Sequence, residues 1–422
     1  MRTTFALRFA TMRGRLGALE ERPFRLLWLG QSTSAVGDAF SGIALAFAVF
    51  EIGRSASALG LVLAAYTLGR VVFILAGGVW SDRLSRRRVM IACDVLRGGV
   101  QAAVAAVLIA GVAELWHLVA AGVLVGSASA FFGPAATGLV PQTVSAGRLQ
   151  QANALISTSN SASWLAGPAL SGIVVGAFGP GLALAFDAAT FGISAFFLLL
   201  LRVPERPAPA EPQTFLADLA HGWREVRARS WIVASLVTFS LSNTAIAAFF
   251  VLGPVIANEE LGGAADWGLA MTIGAAGGLA GSLLALRYRP ARPLISSFLV
   301  ILFVPVALLS LVPPLHAVGI GLAAGAMFLG IQLGNALWET MMQQHVPADL
   351  LSRVSSYDWL VSLVFMPLGY TLAGPLADTI GLDTTLIAAA IVSALANLGV
   401  LLVPSVRNLR RLDEPAAASA TA

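Results

Sequence analysis

Gly78-Val79-Trp80-Ser81-Asp82-Arg83-Leu84-Ser85-Arg86-Arg87-Arg88 sets four arginines and one aspartate between two long apolar runs, 58 to 80 and 89 to 111. A strongly basic loop between two such runs marks the cytoplasmic side of a membrane chain. Working outward, the same alternation covers the whole sequence. Apolar runs lie at 25 to 50, 58 to 80, 89 to 111, 116 to 138, 152 to 178 and 181 to 201. After a polar break they resume at 231 to 257, 266 to 287, 293 to 313, 316 to 343, 352 to 378 and 381 to 404. Each is close to the ~20 residues that cross a hydrocarbon layer at 1.5 Å per residue. Helices are expected throughout, because a chain in lipid has to satisfy its own backbone hydrogen bonds. The fold class predicted is an all-α membrane protein of 12 transmembrane helices.

Composition agrees. Hydrophobic residue types make up 57% of the 422 residues and charged ones 11%, and mean hydropathy is +0.82; lipid is the solvent such a mix requires. All 26 basic residues are arginine. All but Arg54, Arg70 and Arg97 fall in alternate loops: six by Arg25, four at 83 to 88, then Arg148, five between Arg202 and Arg229, three between Arg287 and Arg292, Arg353, and three in the tail. The intervening loops carry Arg54 and otherwise acids such as Glu51, Glu114, Glu259, Glu260, Asp266 and Asp383. Both termini are therefore expected in the cytoplasm, and the net charge of +4 reflects topology rather than a nucleic-acid partner. An arginine-only basic set suggests a GC-rich bacterial genome, hence a bacterial inner membrane. The first apolar run, long and preceded by arginines, reads as an uncleaved span.

Several function classes drop out. A chain without lysine cannot build a Walker phosphate loop, so ATP does not drive it through such a site. Cys93 is the single cysteine, which excludes an intrachain disulfide. The four histidines are dispersed and no His-Glu-x-x-His pattern occurs, so neither a metal site nor a cofactor is expected.

The halves repeat. Val140-Pro141 followed by Arg148 returns as Val346-Pro347 followed by Arg353; Leu165-Ala166-Gly167-Pro168 returns as Leu372-Ala373-Gly374-Pro375; Gly60-Leu61 returns as Gly268-Leu269. Offsets of 206 to 208 residues keep one register, which predicts two pseudo-symmetric six-helix halves with a substrate site near the midplane. The expected organisation is a six-helix half over 1–202, a linker over 203–229, a second half over 230–404 and a tail over 405–422. Within the linker, Phe215, Leu216, Leu219, Trp223 and Val226 stand at helical spacing and predict an amphipathic surface helix.

The 78 to 88 loop resembles the signature Gly-x-x-x-Asp-Arg-x-Gly-Arg-Arg of the major facilitator superfamily, with Ser85 where glycine is usual. That resemblance implies an inner gate built from Gly78, Asp82, Arg83, Arg86 and Arg87. Ser163-x-x-x-Gly167-Pro168-x-x-Ser171-Gly172 is similar to the family's exporter-associated helix-bending pattern, with two glycines replaced by serine. Gly37-Asp38, Asp94-x-x-Arg97-Gly98, Gln151-Ala152-Asn153-Ala154-Leu155 and Phe186-Asp187-Ala188 resemble the branch of macrolide-efflux proteins and enterobactin exporters. The implied function is a secondary active transporter that exports amphipathic small molecules of drug, macrolide or siderophore class by alternating access, as a monomer in the lipid bilayer exchanging substrate for protons. An importer of a small metabolite and a non-transporting sensor or scaffold stay open on the residues alone. No enzymatic function is expected. One departure matters: span four lacks the arginine that many proton-coupled relatives carry there.

Intramembrane charge is costly and marks function. Asp38, 13 residues past Arg25, and Arg70, 12 residues before Asp82, come out at matching depths of about 18 to 20 Å. A contact between them is geometrically open as a coupling pair or a static one. Asp187 is a candidate for the coupling site or cavity, with snorkelling to the interface as its alternative. Asp94 and Arg97, three apart on one face, are assigned to the inner gate with Glu339 and Asp358 near span ends.

Overall fold

The computed structural model describes residues 17–53, 55–83, 85–203, 223–347, 354, 357–358, 360–361 and 364–412, with residues 74–83 and 146 described by backbone alone. Its helices are α1 (Arg22–Glu51), α2 (Ala56–Arg83), α3 (Arg86–Ile109), α4 (Leu115–Leu139), α5 (Leu149–Phe178) and α6 (Pro180–Leu200). They continue as α7 (Ser230–Glu260), α8 (Ala264–Ala285), α9 (Pro293–Leu309), α10 (Ala317–His345), α11 (Met366–Ile380) and α12 (Leu382–Gly399). Twelve membrane helices are what the apolar runs predict. Ten of them are, among the described residues, long and apolar enough to cross a bilayer, and α9 is a shorter apolar helix.

The ninth run differs from expectation. A turn at Leu302 splits it into Pro293–Ile301 and Phe303–Leu309, because Pro305 has no N–H to return to the carbonyl of Ile301. The helix then stops short of Pro313 and Pro314. Of the linker's expected amphipathic helix, Phe215, Leu216 and Leu219 lie outside the described residues, while 223–228 is helical and Trp223 packs on Tyr357 with ring centroids 5.5 Å apart. The α5–α6 and α11–α12 connections are single glycines, Gly179 and Gly381, at φ +81° and +91°. A residue with a Cβ is strained there, and glycine lets one span reverse into the next without a loop.

The chain forms two compact units. The first comprises Met1–Pro212 with Ala257–Thr272, and the second Gln213–Ile256 with Ile273–Ala422. In the first, α1 lies between α5 and α6, α3 packs on α4 and α6, and α2 packs on α4. Small residues set these approaches. A Cβ at Gly122 would stand 3.0 Å from the Val62 carbonyl, and one at Gly126 would overlap the carbonyl of Tyr66, so Gly122-x-x-x-Gly126 works as a close-packing pair for α2 against α4. Gly126→Val is therefore expected to lower the yield of folded protein sharply. Size-exclusion of the detergent-solubilised variant checks it, and a monodisperse parent-level peak would contradict the packing role.

Arg86 and Arg87 act at helix ends in the first unit. Arg86 donates to the carbonyl of Gly138 at 2.6 Å, and Arg87 to the carbonyls of Leu198 and Leu199, each at 2.8 Å. The final carbonyls of a helix have no partner within it and carry the negative end of its dipole, so these guanidinium groups fasten the start of α3 to the ends of α4 and α6. In the second unit α9 packs on α10 and α12, and α11 approaches α7 at Gly369, where a Cβ would meet Ala247 and the backbone of Thr244.

Candidate functional site

Within the first unit, α3 and α6 present matching triplets at i, i+3 and i+7: Asp94, Arg97 and Gln101 on one, Asp187, Thr190 and Ser194 on the other. That spacing puts each triplet on one helical face. The two faces meet in the core, and α1 brings Gly37 and Asp38 against them. Arg97 is the centre. Its Nη2 donates to Asp94 Oδ1 at 2.5 Å and its Nη1 lies 3.7 Å from Asp38 Oδ2. The guanidinium also sits over two rings, 4.3 Å from the centroid of Phe132 on α4 and 4.2 Å from that of Phe191 on α6. A delocalised cation is well matched to such faces, where a lysine ammonium would be less so. Ser194 Oγ donates to the second oxygen of Asp94 at 2.7 Å.

Asp187 forms a second station in the same cluster. Gln101 Nε2 donates to its Oδ2 at 2.8 Å, while Oδ1 is buried without a hydrogen-bond partner. A methyl group at Gly37 would overlap both Oδ1 of Asp187 and Oγ1 of Thr190, so only glycine lets α1 lie against this carboxyl. Asp94, Arg97 and Asp187 are buried, whereas the Asp38 side chain is 45% exposed. Asp38 is thus the member of the cluster whose side chain reaches the surface of the unit.

The expected Asp38 to Arg70 contact is replaced by Asp38 to Arg97. Arg70 is exposed on α2 and makes no ion pair among the described residues. Matching depth said nothing about which helix stands next to α1, and the packing puts α5 and α6 there, with α3 behind α6. Snorkelling of Asp187 is likewise replaced by full burial. Asp94 and Arg97, read as gate residues, join Asp38 in one network. Gly78, Asp82 and Arg83 lie on the α2 backbone, with side chains outside the described residues. Glu339 is exposed on α10, and Asp358 accepts from the Trp338 indole at 2.9 Å, far along the chain from the Arg97 cluster. Gln101, Thr190, Ser194, Phe132 and Phe191 are the participants that the sequence reading missed. For Gln101, Thr190 and Ser194 the i+3 and i+7 spacing from Asp94 and Asp187 was the available signal; Phe132 and Phe191 had none.

On α5, Gly167, Ser171 and Gly172 line a closely packed seam. A Cβ at Gly167 would overlap Ala39 of α1, and Ser171 Oγ donates to the carbonyl of Phe40 at 2.8 Å. A Cβ at Gly172 would stand 3.2 Å from Cα of Gly268 and collide with the carbonyl of Ala264, both on α8. Asp38 immediately precedes Ala39 and Phe40, so the exposed carboxylate sits beside this seam.

Charge is unevenly divided. Among the described residues the buried Asp, Glu and Arg side chains, Asp94, Arg97 and Asp187, all lie in the first unit. The buried face of α9 in the second holds Leu294, Phe298, Ile301, Val304 and Leu308 with Ser297, and the buried polar groups of α7, α9 and α12 there are neutral, with Asn397 donating to Ser242 at 2.8 Å. No group of three or more His, Cys, Asp or Glu is placed to hold a metal ion among the described residues.

Comparison with known proteins places this geometry. The family model of the Major Facilitator Superfamily matches residues 27–357. The multidrug efflux pump Tap of Mycobacterium tuberculosis is 26% identical over 92% of this chain and 94% of its own. Macrolide efflux protein A of Streptococcus pyogenes is 22% identical over 92% and 97%. Among solved structures, the nucleoside transporter NupG aligns over 90% of this chain and 98% of its own with a TM-score of 0.71 at 14% identity. A bacterial homologue of the human lysosomal transporter Spinster, inward-facing and occupied, aligns over 92% and 97% with a TM-score of 0.69 at 14% identity. At those identities the structures speak for the fold alone. With twelve helices in two repeated halves and a family match across most of its length, the chain is a multi-pass membrane transporter that belongs to the Major Facilitator Superfamily.

Proposed function

We propose that the protein exports amphipathic small molecules, of the drug, macrolide or siderophore class, in exchange for protons. It would work as a monomer in a bacterial inner membrane with both termini in the cytoplasm. The observation that carries the coupling is the position of Asp38: exposed, paired to Arg97, and next in sequence to the two residues on which α5 seals. One guanidinium balances one carboxylate. The charge left by the remaining carboxylates among Asp38, Asp94 and Asp187 has to be met by protons or by a cationic solute where the cluster is buried. When Asp38 takes a proton, its tie to Arg97 weakens and Arg97 stays on Asp94. That frees α1 relative to α3, and with it the Ala39–Phe40 seat of the α5 seam. The proton is thereby linked to the element that opens. Direction is supported by the Tap and macrolide-efflux relatives, whose names describe export.

The test is transport into inverted membrane vesicles under an imposed pH gradient. The parent should accumulate drug and lose accumulation on adding an uncoupler. Asp38→Asn, a neutral isostere at an exposed position, should fold normally and lose at least about 90% of gradient-driven accumulation, a tenfold effect equal to about 1.4 kcal/mol of coupling. Gradient-driven accumulation by Asp38→Asn at the parent's level would sink the coupling role, and uptake in the opposite sense would establish the importer.

A further inference from the structure

We infer that the N-terminal half of α5 carries a substrate-contact stripe for neutral molecules rich in hydrogen-bonding groups, an inference that rests on the transport reading and names its ligand chemistry. Asn153, Ser157, Asn160 and Ser161, followed by Trp164, fall at i, i+4, i+7, i+8 and i+11, all on one face and all exposed. Trp164 is 62% exposed. From Asn153 to Trp164 the stripe runs about 16 Å at 1.5 Å per residue.

Three observations separate this face from an ordinary lipid-facing one. First, α5 has a largely apolar face on its opposite side, where Ala162, Ala166, Leu170 and Ile173 are exposed and the one exposed hydroxyl, Thr158, is turned back to the carbonyl of Ala154. Lipid and a row of amides and hydroxyls are poor partners, so the polar side has to meet water or solute. Second, hydroxyls in these helices are usually quieted by the carbonyl four residues earlier. Ser129, Thr137, Thr158 and Ser163 all do this, at 2.8 to 3.1 Å. The two asparagines and two serines of the stripe have no such partner among the described residues, and their hydrogen-bonding capacity is left open. Third, the stripe continues the face that Gly167, Ser171 and Gly172 bury against α1 and α8. One side of α5 is sealed in its C-terminal half and open and polar in its N-terminal half. A helix that parts along this line presents the stripe to whatever occupies the open end.

The chemistry of the occupant follows from the groups. Two carboxamides and two hydroxyls donate and accept without net charge, and an indole adds a flat apolar face. That set suits an uncharged amide, hydroxyl or lactone compound with an aromatic or alicyclic body, whereas a permanent cation lacking hydrogen-bond groups finds nothing there to bind. The cation's natural partner is Asp38.

Two readouts test this. In a Cys93→Ala background, Cys93 being the only cysteine and buried, Asn160→Cys should react with a membrane-impermeant methanethiosulfonate reagent, and chloramphenicol should slow that reaction. Ala166→Cys, on the apolar face, should stay unreactive. Equal reactivity at the two positions, or no protection by chloramphenicol at 160, would overturn the assignment. In vesicles, Ser157→Ala combined with Asn160→Leu should raise the KM for chloramphenicol about tenfold, the loss of one or two hydrogen bonds, and leave transport of tetraphenylphosphonium unchanged. An equal loss for both compounds means a gate role and rejects the stripe; an unchanged KM for chloramphenicol rejects it too. A parent that carries tetraphenylphosphonium and not chloramphenicol rejects the neutral-ligand class, while a parent that carries neither counts against the export reading itself.

Discussion

Arg97→Gln is expected to be the most damaging single substitution in the molecule, abolishing transport and lowering the unfolding midpoint in detergent by far more than any surface change. Among the described residues Arg97 is the buried cation of its unit, held at 3% exposure among Asp94, Asp38, Phe132 and Phe191. Its removal leaves Asp94 with Ser194 alone, inside a helical core and away from water. Breaking a buried pair from one side costs about 3–5 kcal/mol, because the surviving charge keeps its desolvation penalty and loses its compensation. The diagnostic variant is the double one. Arg97→Gln with Asp94→Asn removes both charges and should recover stability to within about 1–2 kcal/mol of the parent, while transport stays lost. Arg97→Lys should fall between, since an ammonium keeps the charge but neither reaches both carboxylates nor lies flat on two rings. A single Arg97→Gln variant as stable as the parent would show that the pair with Asp94 contributes nothing.

Gly172→Val is expected to stop transport by a different route, leaving the fold largely intact. The added side chain meets the carbonyl of Ala264 and the backbone at Gly268, neither of which moves aside as a flexible side chain would. Overpacking of this kind costs about 1–3 kcal/mol, and here it falls on the closed state of one seam rather than on the core. The export rate should drop at least about tenfold, the kinetic equivalent of 1.4 kcal/mol. Gly176→Val is the control, because a Cβ there meets nothing within 4 Å. If both glycine variants transport equally, the seam does not limit the cycle.

Much of the architecture was legible because lipid enforces it. Run length and the repeat offset each answer to one strong constraint, and most of the helices fall close to where those constraints put them. The break in α9 was also visible in principle, since Pro305 stands in the sequence. The site was only partly legible. Asp38, Asp94, Arg97 and Asp187 announce themselves as charges in apolar runs. Who pairs with whom does not, because depth along a helix is a one-dimensional quantity and pairing depends on which helices are neighbours. Arg70 matched Asp38 in depth and lies on a helix that packs elsewhere. Gln101, Thr190 and Ser194 escaped notice for another reason: neutral polar residues are common in membrane helices, and only the facing triplet gives them meaning. The α5 stripe was hidden in the same way, since asparagine and serine at helical spacing look alike whether they face protein, lipid or water.

The uneven distribution of buried charge has a consequence for how the duplicated halves can diverge. On the coupling role proposed for Asp38, energy conversion falls to the half that holds the buried acids and Arg97, while the described buried polar groups of the other half are neutral. Substitutions in the core of the second half should therefore leave the Arg97 network undisturbed, whereas the α5 stripe shares its half with that network.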